Sequence, residues 1–297
     1  MKMSMGAAAV LGISQLRWPK LLMAQESTPA VVWLNGQDCT GCTESALSCL
    51  QPDLRDVILD VVNIRYHETI MAGTGEVAEH ALVSAIEAGG YVLVLEGSIP
   101  AADPRYLMIG GSSLESTFIA AASNAAAIIA LGACAAYGGI VRATISSGQG
   151  VEFFLNKHSI SKPLINLPGC PAHPTWFYDT VLAYLNSGVP ALDAYHRPLK
   201  HFSQTVHDNC PRKTHYDKGE YLSDWNDPNQ KGWCMLLKGC KGYETHADCP
   251  SLMWNEGANW CINNNAPCAG CTEPKFYQNL SPLFITTGVA YYGRPKP

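Results

Sequence analysis

The stretch Val31-Val32-Trp33-Leu34-Asn35-Gly36-Gln37-Asp38-Cys39-Thr40-Gly41-Cys42-Thr43-Glu44-Ser45 decides the reading of this 297-residue chain. Its first four residues are apolar without alternation, which suits a short strand buried on both faces. A glycine turn and a C-x-x-C pair follow, and then a helical pattern over 43–50. The same sequence of events recurs downstream. Apolar runs at Val57–Val62, Tyr91–Leu95, Ala126–Leu131 and Leu164–Leu167 are separated by helical patterns at Glu76–Ala88, Leu114–Asn124, Val151–Lys157 and Thr175–Leu185. Continuous apolar strands alternating with helices predict an α/β domain with a doubly wound parallel sheet.

The cysteines of this part fall at the ends of those strands. Cys39 and Cys42 follow the first, Cys134 follows the fourth through Leu131-Gly132-Ala133, and Cys170 follows the fifth through Pro168-Gly169. Ligands of open α/β sheets bind beyond the carboxyl ends of the strands. Residues more than 130 positions apart are therefore delivered to one rim. Gly36, Gly41, Gly132 and Gly169 beside them let backbone approach a bound group closely.

Beyond residue 200 the texture changes to Gly, Asn, Pro and Asp with weak apolar periodicity. Seven cysteines lie there, Cys210, Cys234, Cys240, Cys249, Cys261, Cys268 and Cys271, with His207 three residues before the first. Seven thiols and one imidazole suffice for two four-iron clusters. By proximity, His207, Cys210, Cys234 and Cys240 form one set, and Cys249, Cys261, Cys268 and Cys271 the other. Crossed pairings stay open at this point, and such donor sets suit structural zinc equally well. A relay of iron–sulfur clusters explains three four-ligand sets in one chain better than zinc does. A segment this poor in apolar surface is expected to depend on its clusters to fold.

The formal charge is −5, without a long run of either sign, which leaves no footprint for nucleic acid or an anionic membrane. Only 15% of residues are charged, which points to surface hidden against a partner. Residues 1–28 read as an export segment, with Lys2 ahead of a short apolar stretch from Gly6 to Leu16. That stretch and the Ile285–Tyr292 run are both shorter than the ~20 residues a membrane helix needs. The divisions expected are 1–28, 29–198 and 199–297. Export would ordinarily suggest disulfides, but C-x-x-C pairs and a chain with a core of its own argue for metal or redox use.

Taken together these motifs resemble the small, electron-transfer subunit of nickel–iron hydrogenases. Cys39-Thr40-Gly41-Cys42-Thr43-Glu44-Ser45, Gly132-Ala133-Cys134-Ala135-Ala136-Tyr137-Gly138-Gly139 and Leu167-Pro168-Gly169-Cys170-Pro171-Ala172-His173-Pro174 match its first three motifs. His207-x-x-Cys210-Pro211, Gly239-Cys240-Lys241-Gly242 and Pro267-Cys268-x-x-Cys271 match its tail. The resemblance spans about residues 31–284. It implies a flavodoxin-like domain followed by a low-regularity C-terminal domain that binds Fe–S clusters. It implies a proximal [4Fe–4S] cluster on Cys39, Cys42, Cys134 and Cys170, and a distal one on His207, Cys210, Cys234 and Cys240. It also implies a nickel–iron centre in a separate large subunit, and thus no catalytic residue in this chain. The expected setting is the periplasm, reached by twin-arginine-type export. The arginine pair of such a signal is missing, so the true start is expected to lie further upstream. A periplasmic c-type cytochrome docking near His207 is the expected electron partner.

One departure is informative. Many members of that family hold a three-iron medial cluster on three cysteines, with proline at the fourth corner. Here Cys261 follows Trp260, so Cys249, Cys261, Cys268 and Cys271 can hold a complete [4Fe–4S] cluster, as in the nickel–iron–selenium members. A bystander role for Cys261 would restore the [3Fe–4S] form. Oxygen-tolerant members carry two further cysteines, at the positions held here by Gly41 and Gly139, so an oxygen-sensitive enzyme is expected. The related quinone-reductase subunit of respiratory complex I shares the first domain but lacks the two-cluster tail.

Other residues read as structural. Asp38 caps the turn before Cys39, Glu44 sits in the first helical turn, and His67 and His173 are hydrogen-bonded. Cys49 is a core thiol, and Trp233, Trp254 and Trp260 exclude water from the tail.

Overall fold

Strands whose residues are apolar on both sides can sit only inside a covered sheet. In the computed structural model, which describes residues 29–49 and 62–279, five strands form one parallel sheet. They are β1 (Ala30–Asn35), β2 (Asn63–His67), β3 (Val92–Glu96), β4 (Ala127–Leu131) and β5 (Leu164–Leu167). Their order across the sheet is β2-β1-β3-β4-β5. This is the flavodoxin-like order, with its switch point between β1 and β3.

All residues of β3, β4 and β5 are buried. The edge strand β2 exposes Asn63 and Arg65, which is why apolar content points instead to Val57–Val62. Apart from Val62, buried just before β2, that segment lies outside the described residues. So do the expected export segment at 1–28, Leu50 and the Ile285–Tyr292 run.

The connecting helices are α1 (Gly41–Leu47), α2 (Glu76–Ala88), α3 (Leu114–Asn124), α4 (Gly132–Tyr137), α5 (Val151–Lys157) and α6 (Pro174–Ser187). Cys134 thus lies inside a short helix, not in a loop after β4.

Alternate strand residues feed two cores, as the two-residue period of a strand requires. Val32, Leu34, Leu93, Leu95, Ile128 and Ala130 pack with Leu82, Phe118, Ala135 and Phe154 of α2, α3, α4 and α5. Val31, Trp33, Val94, Ile129, Ile165 and Leu167 pack with Ala46 of α1 and with Trp176, Phe177 and Val181 of α6. The second core does not stop at residue 198. Phe202, Val206, Leu222, Met235, Ala247, Trp260 and Ile262 belong to it. The C-terminal region therefore covers one face of the sheet together with α1 and α6.

Polar ties hold the C-terminal region there. The Arg197 guanidinium, with only 2% of its side chain exposed, pairs with Asp193 at 2.8 Å and Glu273 at 2.9 Å. It also donates to the Thr272 carbonyl at 3.0 Å. His201 lies between Asp248 at 2.8 Å and Asp179 of α6 at 3.2 Å. Trp176 Nε1–H donates to Asp248 at 2.7 Å.

Candidate metal centres

Cys39, Cys42, Cys134 and Cys170 come from three parts of the fold that end on the same rim. Cys39 lies in the loop after β1, Cys42 in the first turn of α1, Cys134 in α4, and Cys170 in the loop after β5. Backbone bonds lock the loops together. Ala133 N–H donates to the Gly169 carbonyl at 2.7 Å. Ala172 N–H points at Cys42 Sγ, 3.5 Å away. Ser45 Oγ donates to the Ala172 carbonyl at 2.7 Å.

Two glycines make the approach possible. A Cβ on Gly132, where φ is +89°, would lie 2.5 Å from Cys42 Sγ. A Cβ on Gly139, where φ is +53°, would lie 2.6 Å from Cys134 Sγ. Only glycine accepts both the left-handed backbone and the lack of space.

The thiols sense one another. Burial, with Cys170 and Cys39 close by, pushes Cys134 up to about 12. Burial, the Glu96 carboxylate, and Cys134 and Cys170 hold Cys42 well above the ordinary thiol range. Cys42, Cys134 and Cys170 resist ionising together, and a cationic core would reverse that preference.

Sequence inspection missed the group that organises this loop, Glu96, the last residue of β3. Its side chain is buried and collects donors from two directions. Cys42 N–H donates at 2.9 Å, Thr43 N–H at 3.1 Å, Thr43 Oγ1 at 2.5 Å and Trp33 Nε1 at 3.3 Å. Burial raises its pKa, while these hydrogen bonds work in the opposite direction. The only signal available was an acid closing an otherwise apolar strand, Val92-Leu93-Val94-Leu95-Glu96. Asp38 does cap the turn, accepting from Thr40 N–H at 3.3 Å, and it also accepts from Asn35 Nδ2 at 2.6 Å. His67 meets Thr43 Oγ1 at 3.3 Å, and His173 bonds Thr175 N–H and the Met253 carbonyl. Cys49 is buried in the core, beyond the end of α1.

The set expected to be distal comes together most plainly. His207, Cys210, Cys234 and Cys240 line one pocket, with Arg212, Met235 and Ile262 around them. Burial, with Cys240 and Cys210 adding to it against the Leu236 backbone, pushes Cys234 up to about 11. Burial and Lys213 lower His207, which favours the neutral imidazole, the form that binds a metal.

The remaining set is spread over the junction. Cys268 is buried, Cys249 and Cys271 are half-buried, and Cys261 is exposed. Cys249 lies within electrostatic reach of Cys271, Cys268 and Cys261. This set touches both others. Cys170 lies close enough to Cys271 to act on its thiol, and Lys241 N–H, next to Cys240, donates to the Cys268 carbonyl at 2.9 Å. Among the described residues no three His, Cys, Asp or Glu side chains converge on one point as ligands of a single ion.

Comparison with known proteins agrees along the length of the chain. A family described as the C-terminal part of the NiFe/NiFeSe hydrogenase small subunit matches residues 202–284. One described as NADH ubiquinone oxidoreductase, 20 Kd subunit, matches residues 39–184. The periplasmic [NiFe] hydrogenase small subunit of Solidesulfovibrio fructosivorans is 38% identical, over 96% of this chain and 91% of its own length. The periplasmic [NiFeSe] hydrogenase small subunit of Desulfomicrobium baculatum is 36% identical, over 96% of each. Among solved structures, the recombinant [NiFeSe] hydrogenase from Desulfovibrio vulgaris Hildenborough is similar with a TM-score of 0.80 and 38% identity. That match covers 87% of this chain and 98% of the other.

Proposed function

The chain belongs to the small-subunit family of NiFe and NiFeSe hydrogenases, and from that premise we propose that it carries electrons between a large subunit and an external acceptor. The match over residues 202–284 favours this over the complex I-like alternative, which has no such tail. The observation that carries the proposal is the continuity of three donor sets. The rim set meets the Cys249–Cys271 set through Cys170 and Cys271. That set in turn meets the pocket of His207 through Lys241 and Cys268. When bound, three [4Fe–4S] clusters would supply one-electron carriers linking hydrogen oxidation in the large subunit to the outside.

The residues of this chain then have distinct tasks. Cys39, Cys42, Cys134 and Cys170 would hold the proximal cluster. Glu96 fixes the amides of Cys42 and Thr43, and Ala172 N–H faces the Cys42 sulfur. Cys249, Cys261, Cys268 and Cys271 would hold the medial cluster, where Trp260 and Ile262 are buried and keep water out. A fourth thiolate there adds negative charge and lowers the medial potential, which flattens the relay and favours running it both ways. His207, Cys210, Cys234 and Cys240 would hold the distal cluster. Division at residue 198 separates the sheet from this two-cluster region.

The partners are a large subunit in an obligate heterodimer and a periplasmic c-type cytochrome. The setting is the periplasm after twin-arginine-type export. It is consistent with both relatives described as periplasmic and with the lack, among the described residues, of a helix long and apolar enough to cross a membrane. Without thiols at Gly41 and Gly139, the enzyme is oxygen-sensitive.

The test is nickel and iron content after anaerobic purification with whatever co-purifies. Nickel with roughly a dozen irons, as three cubanes need, is expected. Iron without nickel would remove the hydrogenase role, and zinc without iron would remove the relay. Cys261→Ala is expected to bring out a three-iron EPR signal in oxidised protein. The same signal in the undamaged wild type would show that Cys261 is not a ligand.

A further inference from the structure

The turn that carries Cys249 is gripped at both ends by one helix. The short helix Cys249–Leu252 begins after Asp248 and stops at Met253. Trp176, in the first turn of α6, donates from Nε1 to the Asp248 carboxylate at 2.7 Å. His173, the residue just ahead of α6, bonds the Met253 carbonyl through Nε2. Positions three apart share a helix face, so both side chains reach the turn from the same side. Cys170 stands three residues before His173. One stiff element therefore joins a rim cysteine to a cysteine of the junction set.

The chemistry of the His173 contact fixes its direction. Thr175 N–H donates to Nδ1 at 3.1 Å, so the ring proton sits on Nε2, the atom that faces the Met253 carbonyl. Only the neutral ring in that tautomer makes both bonds. Burial acts in the same sense and holds His173 below the ordinary imidazole range. The ring is further pinned between Trp254, with centroids 4.7 Å apart, and Trp176, at 5.6 Å. Capping α6 needs the Nδ1 acceptor alone. The second bond, to a residue 80 positions away, adds nothing to the helix.

The backbone held by that bond is strained. Met253 has φ +54° and ψ −173°, a combination ordinarily left to glycine. A residue with a side chain stays there only where its surroundings hold it. Met253 N–H donates to the Cys249 carbonyl at 2.9 Å, so the strained residue closes the turn on Cys249 itself.

We propose that His173 and Trp176 are positioning residues of the relay, which together fix the distance and orientation between the cluster on Cys170 and the cluster on Cys249. The proposal rests on the electron-relay reading above. In the step they serve, one electron passes from the proximal cluster, oxidised by one unit, to the medial cluster, reduced by one unit. No bond forms or breaks and no proton moves.

The experiment uses the intact heterodimer as wild type, His173→Asn, Trp176→Phe and the double variant. Asparagine keeps an acceptor for Thr175 N–H, so the cap survives while the reach to Met253 is lost. Phenylalanine keeps a ring in the core and drops the N–H donor. Three quantities are measured: iron content, deuterium exchange of the amides at 248–254, and the EPR splitting between the proximal and medial signals after full reduction. Iron content is expected to be the same in all four proteins. Exchange is expected to be about fivefold faster in each single variant, the worth of one hydrogen bond, and faster again in the double. The splitting, which falls as two spins move apart, is expected to narrow in each single variant and most in the double. Unchanged exchange and splitting in every variant would overturn the proposal. Faster exchange with the wild-type splitting would overturn the positioning role and leave a contact that serves folding alone. Loss of about four irons, the content of one cubane, would also overturn it, because the grip would then retain a cluster instead of placing it. A wild type without iron would overturn the relay reading and the positioning proposal with it.

Discussion

One carboxylate sets the geometry of the first cysteine loop. Glu96 is 1% exposed and accepts from Cys42, Thr43 and Trp33 at once. Glu96→Leu would leave those buried donors without an acceptor, at about 1–3 kcal/mol each. The apparent melting temperature of the heterodimer is expected to fall by about 5 °C or more. Glu96→Gln, which keeps one acceptor oxygen, is expected to fall by less. Equal melting curves for all three proteins would mean that the hub carries no stability. The candidate cysteines stood out in the sequence because metal chemistry favours a fixed donor type at short spacings beside strand ends. Glu96 did not, since an acid after four apolar residues looks the same whether it faces solvent or a ring of amides. His67 and His173 are hydrogen-bonded to neighbouring groups, as expected of structural histidines.

At the scale of elements, α4 carries the tightest fit. Its first residue, Gly132, has its missing side chain aimed at Cys42 Sγ, and Gly132→Ala would push backbone and sulfur apart. That variant is expected to purify with about four irons fewer, the content of one cubane, while EPR signals from the tail sites persist. Full iron content would show that the rim tolerates the methyl group. Long amphipathic helices were legible nearly to the residue, Glu76–Ala88 and Leu114–Asn124 among them, because their apolar faces repeat over several turns. The six residues of α4 span too little for periodicity to speak. The edge strand β2 was misplaced because half of it meets water. The tail resisted reading for another reason. Its order comes from side chains capping nearby backbone, as Gln230, Asp224 and Asp227 do, and such bonds leave no period.

Across the whole molecule, the tail and the sheet share a core, and His201 joins them through two carboxylates. Burial acts to lower His201, but Asp179 and Asp248 outweigh it and the net pKa lies above the ordinary 6.5. Lys200 also pairs with Asp179, and His173 opposes weakly through space. A raised folded pKa means the stabilisation is complete below the unfolded value near 6.5 and fades as pH rises through the folded one. The melting-temperature gap between wild type and His201→Gln is therefore expected to be widest below about pH 6.5 and to narrow above it. A gap that does not change with pH would show that His201 acts through packing alone. The low charge of the chain pointed to surface hidden against a partner, and it gave no sign that its own tail would cover part of the sheet.

The cysteines are not equally sheltered. Cys39 and Cys170 are exposed at the rim, whereas Cys234 and Cys268 are buried. A small subunit loaded with iron but standing alone is thus metalwork with one bare edge. Left in air, it is expected to lose iron first at the sheet rim and at the exposed Cys261, with the iron held by Cys234 surviving longest. Iron release to a chelator, followed by EPR, would read the sequence of loss. Joining a large subunit over that rim would then seal the metal as well as connect it, and the wire would last only as long as its cap stays on.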